Sequence, residues 1–425
     1  MTATVPSRRR PARILLPAVL ALAALVTPGP AAAPSAAPTP AGTTSGAQAG
    51  PSVTDSPAGA HLTGTHRAGT RQPGAPAPGR LLAVRRLSGS VPAGAQGWQL
   101  TFTTRTTTGQ PTTGSAFVLA PARPPAGERP VILWTHGTTG LARRCEPSVS
   151  ADLTHKTAAV PQALARGWVL VAPDYRGPDG ATPVPYLLGP GEAYVALDAA
   201  RAARAFTGLR LSADTVVWGY SQGGHAALWT ARLARSYAPV LRIRGVAALA
   251  PVTALPAQVD DWRTEPIERV LVSYALLAYG RTYPEVRVED HVRADAREKV
   301  RAVASGCISD PAEAARMADT LRGPEVFTRA PSTGALGTRL REHTATAATG
   351  GAPVLVAQGG GDGVVRPDAT RAWARAECAA GRRLELREYP EVTHGGLLVD
   401  SSGVPAALTE WTEARLRGAP PTPTC

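Results

Sequence analysis

The chain has 425 residues, 44% hydrophobic and 18% charged, with a formal net charge of +13. That length exceeds what one compact core needs and predicts either two domains or one domain with a substantial insertion and a tail. Nucleic-acid binding is excluded as the reason for the charge: residues 1–80 carry seven Arg against one Asp, and later cations are scattered among acids without Arg runs interleaved with aromatics.

At the start, Arg8-Arg9-Arg10-Pro-Ala-Arg13 precedes an apolar run of thirteen residues, Ile14 to Val26. The run is too short to span a bilayer and has the shape of a secretory signal peptide, so residues 1–33 read as an export signal and the mature protein as extracellular. Ser7-Arg8-Arg9 hints at twin-arginine export but lacks the apolar pair that should follow. Residues 34–80 are Ala, Pro, Gly and Thr with almost no large apolar side chain. They cannot offset their ordering entropy by burial and read as a disordered linker. No later run is long and apolar enough for a transmembrane segment.

Residues 81–425 read as one catalytic domain. Trp98 to Thr103 and Ser115 to Ala120 are short β-rich runs suited to a hairpin or meander. Continuous apolar runs then alternate with helical stretches: Val131 to Trp134, Trp168 to Val171, Thr215 to Trp218, Gly245 to Ala250 and Pro353 to Ala357. Such runs predict a mostly parallel sheet covered by helices on both faces. Glu192 to Phe206 and Gly224 to Tyr237 have the alanine-rich spacing of helices packed on that sheet. Between about Pro251 and Gly351 the rhythm stops for roughly a hundred mostly helical residues, and an insertion there would be a cap over the site. Within it, Ile267 to Tyr279 either faces an acyl chain or packs the cap on the body.

Four cysteines, Cys145, Cys307, Cys378 and Cys425, show neither C-x-x-C nor zinc spacing. An even count in an exported chain argues for two disulfides in any of three pairings. Pairing Cys145 with Cys307 and Cys378 with Cys425 is favoured, because the second bond would anchor a frayed terminus.

Gly219-Tyr220-Ser221-Gln222-Gly223 is a G-x-S-x-G between a predicted strand and a predicted helix. A nucleophile elbow needs that context: a sharp turn holds the serine in a strained conformation, and the glycines let neighbouring backbone approach. A serine hydroxyl also needs a histidine base and a carboxylate that sets its tautomer, here in the order Ser, Asp, His. His394 follows the predicted strand Leu384 to Tyr389, whereas His343 precedes the last strands. Asp362 ends a buried strand in a Gly-rich turn; Asp368 is better explained as a helix cap, and Asp400 would break the order. The amide of Gln222 is the first oxyanion donor. A second is sought either in Thr135-His136-Gly137-Thr138-Thr139-Gly140, with Thr138 as donor and His136 as a brace, or in Pro173-Asp174-Tyr175-Arg176-Gly177.

T-H-G-T-T-G followed by Cys145, then A-P-D-Y-R-G, L-D-A-A-R-A-A, G-Y-S-Q-G-G and G-G-G-D-G-V-V, resembles the secretory lipase family of lipase A-type and actinobacterial exported enzymes. The resemblance covers roughly residues 81–417. It implies an α/β-hydrolase fold, a helical lid at 251–351, oxyanion roles for Asp174 and Gln222, and no metal or organic cofactor. The expected activity is hydrolysis of acylglycerols or other lipid esters, with transient contact at a lipid interface. An acyltransferase or peptidase would use the same triad, and a binding protein on this fold would typically have lost a triad member.

Overall fold

The computed structural model describes residues 76–425 apart from 88–90, 155, 178–179, 181 and 348–350. The expected export signal, and residues 34–75 of the expected linker, lie outside them. Runs rich in Val, Leu, Ile and Thr, bounded by Gly and Pro, form the strands. They are β1 (Leu81–Leu87), β2 (Ala95–Arg105), β3 (Pro111–Pro121), β4 (Arg129–Thr135), β5 (Val169–Pro173), β6 (Leu211–Tyr220), β7 (Arg242–Leu249), β8 (Val354–Gly359) and β9 (Leu384–Tyr389). One sheet orders them β1-β2-β3-β5-β4-β6-β7-β8-β9. β1, β2, β3 and β5 pair antiparallel, and from β5 through β4 to β9 every pairing is parallel.

The helices are α1 (Val160–Ala165), α2 (Gly189–Ala205), α3 (Gln222–Tyr237), α4 (Leu255–Asp261), α5 (Pro266–Thr282), α6 (Arg297–Ala302), α7 (Pro311–Thr320), α8 (Gly334–Glu342), α9 (Pro367–Ala379) and α10 (Val404–Leu416). Alternation along β4 shows why both faces need cover: Ile132 and Trp134 enter one core, Val131 and Leu133 the other. On the second face, Ala193, Ala196, Ala199, Ala200 and Ala203 of α2 are buried. Their small side chains favour the helix and permit close approach to the sheet. On the first face Trp218 is fully buried and its indole N–H donates to Thr412 Oγ1 of α10 at 2.8 Å. Truncating it to alanine would cost about 3–5 kcal/mol.

One strand is not expected from the sequence, and one helix is open there between two readings. β1 follows directly on the Ala/Pro stretch and is mostly exposed, with Leu82 43% accessible; Arg85 and Arg86 on this edge strand discourage pairing with another chain. Helix α5 packs its apolar residues inward, Val270, Val272, Tyr274, Ala275, Leu276 and Tyr279 all being fully buried. Packing is therefore what its sequence encodes.

α4 to α8 all lie between β7 and β8. Cys145, after β4, is bonded to Cys307 in that inter-strand segment, with Cα atoms 5.2 Å apart. Cys378 of α9 is bonded to Cys425, and Thr424 donates its amide to Leu384 O at 2.9 Å. Among the described residues no helix is long and apolar enough to cross a membrane.

Candidate active site

The end of β6 delivers Ser221 in a strained backbone conformation, φ 56° and ψ −118°, directly before α3. Side chains at the flanking glycines would not fit. A Cβ on Gly219 would collide with Gly223 O, and one on Gly223 with Thr135 O. Gly224 is pressed in turn against Pro251, where a Cβ would come within 2.8 Å of its Cα. The sharp turn leaves the first amides of α3 without helical partners, at the positive end of its dipole.

Loops after β8 and β9 bring the other two expected residues to this point. His394 Nε2 lies 3.1 Å from Ser221 Oγ, and His394 Nδ1 lies 2.7 Å from Asp362 Oδ2. The second carboxylate oxygen accepts the amides of Val364 and Val365 at 2.9 and 2.8 Å, which orients the group towards the imidazole. Because the carboxylate accepts, Nδ1 carries the proton and Nε2 presents a lone pair to the serine. Ser221 is 8% exposed, so the three residues sit just below the surface. The Tyr220 ring, 4.8 Å between centroids, flanks the imidazole.

The alternatives lie elsewhere. His343 Nε2 is 2.7 Å from Tyr283 Oη, in a separate network. Asp368 is in the first turn of α9, whose cap residue is Arg366, so it does not cap the helix. Asp400 accepts from Gln162 Nε2 at 3.0 Å.

After β4, Thr135 Oγ1 lies 3.0 Å from Trp218 O and 2.7 Å from Gly223 O, tying the loop to the elbow. His136 Nδ1 donates to Gly137 O at 2.6 Å, and its ring packs 4.4 Å from that of Tyr175. Burial holds His136 well below the usual imidazole range, at about 4. It is a neutral brace. Gly137 has no room for a Cβ, since Tyr220 Cδ1 would lie 2.8 Å away. Gly140 forms a bridge with Cys307, and Thr139 O accepts the Ser309 amide at 3.3 Å. The Thr138 amide donates to no group among the described residues.

Asp174 departs from its expected oxyanion role. Its amide donates to Ser115 O at 2.8 Å, and its carboxylate accepts from Ser115 Oγ at 2.6 Å and the Ser148 amide at 2.9 Å. Burial pushes its carboxyl above the usual range while these donors pull it back. The reason is topological: β4 separates β5 from β6, so the β4 loop is the one that lies against the elbow. Sequence reasoning also missed Glu192 and His225, fully buried beneath Gln222. A charged residue opening an otherwise alanine-rich buried helix was the available signal.

A model of the secretory lipase family matches residues 147–424. A secreted triacylglycerol lipase of Malassezia globosa is 33% identical over 203 residues, 45% of this chain and 43% of its own length. A probable inactive lipase of Mycobacterium tuberculosis is 32% identical over 176 residues, 39% of each chain. The match thus spans less than half of either relative. The structure is similar to that of Candida antarctica lipase A in its closed state, with a TM-score of 0.67 and 20% identity over 82% of this chain and 84% of that one. That likeness is one of fold, and the fold is that of the α/β-hydrolases.

Proposed function

The chain belongs to the secretory lipase family, and we propose that it is an exported carboxylic-ester hydrolase that cleaves acylglycerols or other lipid esters through an acyl-enzyme at Ser221. The observation that carries this reading is the continuous hydrogen-bonded chain from Ser221 through His394 to Asp362. Ser221 Oγ attacks the ester carbonyl as His394 Nε2 takes its proton. Asp362 holds the tautomer and stabilises the imidazolium. The tetrahedral oxyanion is met by the amides of Gln222 and Thr138, each such donor contributing about 3 kcal/mol to the transition state. Collapse expels the alcohol with the proton from His394. Water, deprotonated by the same imidazole, then releases the acid.

Residues 1–33 serve as the export signal, and 81–425 as the catalytic domain with a helical cap at about 251–351. A lipid substrate is supported by the family and by the likeness to the Malassezia triacylglycerol lipase. The likeness to a probable inactive lipase makes the chemistry the point to test. Mature protein and Ser221→Ala are compared on a chain-length series of p-nitrophenyl esters and on emulsified triacylglycerol. We expect the variant to lose at least about 10⁴-fold in kcat. Turnover rising on long chains and emulsions identifies a lipase, turnover confined to short soluble esters an esterase. No serine-dependent release of acid from any ester would sink the reading.

A further inference from the structure

Beneath the elbow lies a buried pair that the triad does not use. Glu192 in the first turn of α2 and His225 in the first turn of α3 both have zero exposure. Glu192 Oε1 accepts from the side-chain amide of Gln222 at 2.9 Å and from the Leu187 amide at 3.0 Å. Oε2 lies 2.8 Å from His225 Nδ1. On its other side His225 Nε2 donates to His343 O at 2.7 Å, a carbonyl that also accepts from Trp229 Nε1 at 3.0 Å.

A carbonyl only accepts, so Nε2 is protonated. The contact between Nδ1 and Oε2 then needs a second proton, on one atom or the other. Without it a carboxylate would face an imidazole lone pair with no water between them. The pair is therefore fixed in a single hydrogen-bonded arrangement, with every polar atom of the two side chains satisfied.

Such a pair is not needed for stability, since apolar side chains of similar volume fill buried space at least as well. What hydrocarbon could not supply is an acceptor for the Gln222 side chain. That residue is also the one whose backbone amide follows the nucleophile. Gly219 and Gly223, wedged against Thr135, constrain the backbone on one side, and the bond to Glu192 tethers the side chain on the other.

We infer that Glu192, backed by His225, is a positioning residue that holds Gln222 so that its backbone N–H is aimed at the oxyanion before substrate arrives; this rests on the acyl-enzyme reading above. Preorganised donors of this kind act in the transition state more than in substrate binding.

The test uses the full mature chain and the variants Glu192→Ala, Glu192→Gln and Gln222→Ala, with kcat and KM on p-nitrophenyl butyrate and affinity for an alkyl boronic acid, whose serine adduct is tetrahedral and anionic. Glu192→Ala is expected to lower kcat about tenfold or more with KM within about threefold, and to weaken boronate binding in parallel; outright loss of a donor would cost about 10²–10³. Glutamine at 192 can accept from both donors through its oxygen and offer its NH₂ to His225 Nδ1, so Glu192→Gln should stay within about threefold of wild type. If Glu192→Ala does not fold, Gln222→Ala, which removes only the tether, should show the same loss confined to kcat. Wild-type kcat in either alanine variant, a defect in KM alone, or Glu192→Gln as impaired as Glu192→Ala would overturn the inference. A wild-type enzyme that turns over esters while the variants match it sinks this inference alone. A wild type without serine-dependent turnover sinks the reading beneath it as well.

Discussion

The loops after β4 and β5 leave the same edge of the sheet, and each looks in sequence like a supplier of the second oxyanion donor. In three dimensions they divide the work. The β5 loop spends the Asp174 amide and carboxylate internally on Ser115 and Ser148. The β4 loop has His136 Nδ1 bonded to Gly137 O and Thr139 O bonded to the Ser309 amide, while the Thr138 amide has no acceptor among the described residues. A donor for chemistry has to be unspent yet rigidly held, and of these two loops the one after β4 fits the proposed role better. Sheet order, which no linear motif records, is what favours the first of them.

The sharpest break of this contrast removes the unspent donor itself. Thr138→Pro deletes the N–H, and kcat on a short p-nitrophenyl ester should fall by about 10²–10³ with little change in KM. An unchanged kcat would return the role to another loop. Next comes the fastening of the β4 loop: Cys145→Ser with Cys307→Ser opens a crosslink between residues separated by 162 positions. It should cost about 3 kcal/mol in urea unfolding and lower kcat alongside.

A smaller effect sharpens the role of the brace. His136 titrates near 4 when folded, against an ordinary value of 6.5. A depressed imidazole leaves stability intact above 6.5 and drains it as pH falls towards 4, because the unfolded chain binds the proton first. The wild type should therefore lose about 2 kcal/mol more than His136→Gln between pH 8 and pH 5, followed by urea melts. The smallest effect is expected in the β5 loop, where Asp174→Asn should cost about 1 kcal/mol of stability and leave kcat within about twofold. A hundredfold loss of kcat there would reverse the comparison.

Much of the site could be read directly from the chain. Ser221 was recoverable because an elbow combines a glycine pattern with a strand before and a helix after, and His394 and Asp362 because each ends a recognisable strand in the right order. Asp174 misled because its D-Y-R-G turn has the local shape of an oxyanion loop, whereas its non-local neighbours, Ser115 and Ser148, come from 59 and 26 positions away. Glu192 and His225 escaped for a similar reason: their partners, Gln222 and the carbonyl of His343, come from 30 and 118 positions away. β1 escaped because an exposed edge strand lacks the buried apolar pattern that betrays the others.

The bond from Cys145 to Cys307 bears on where such an enzyme becomes competent. Thiols stay reduced in the bacterial and eukaryotic cytosol and oxidise outside it. On the proposed export route, a newly made chain still inside its cell would thus carry its β4 loop unfastened, and would be a poorer catalyst there than after departure. The same two sulfur atoms that steady the fold would then act as a safety catch released by the journey itself.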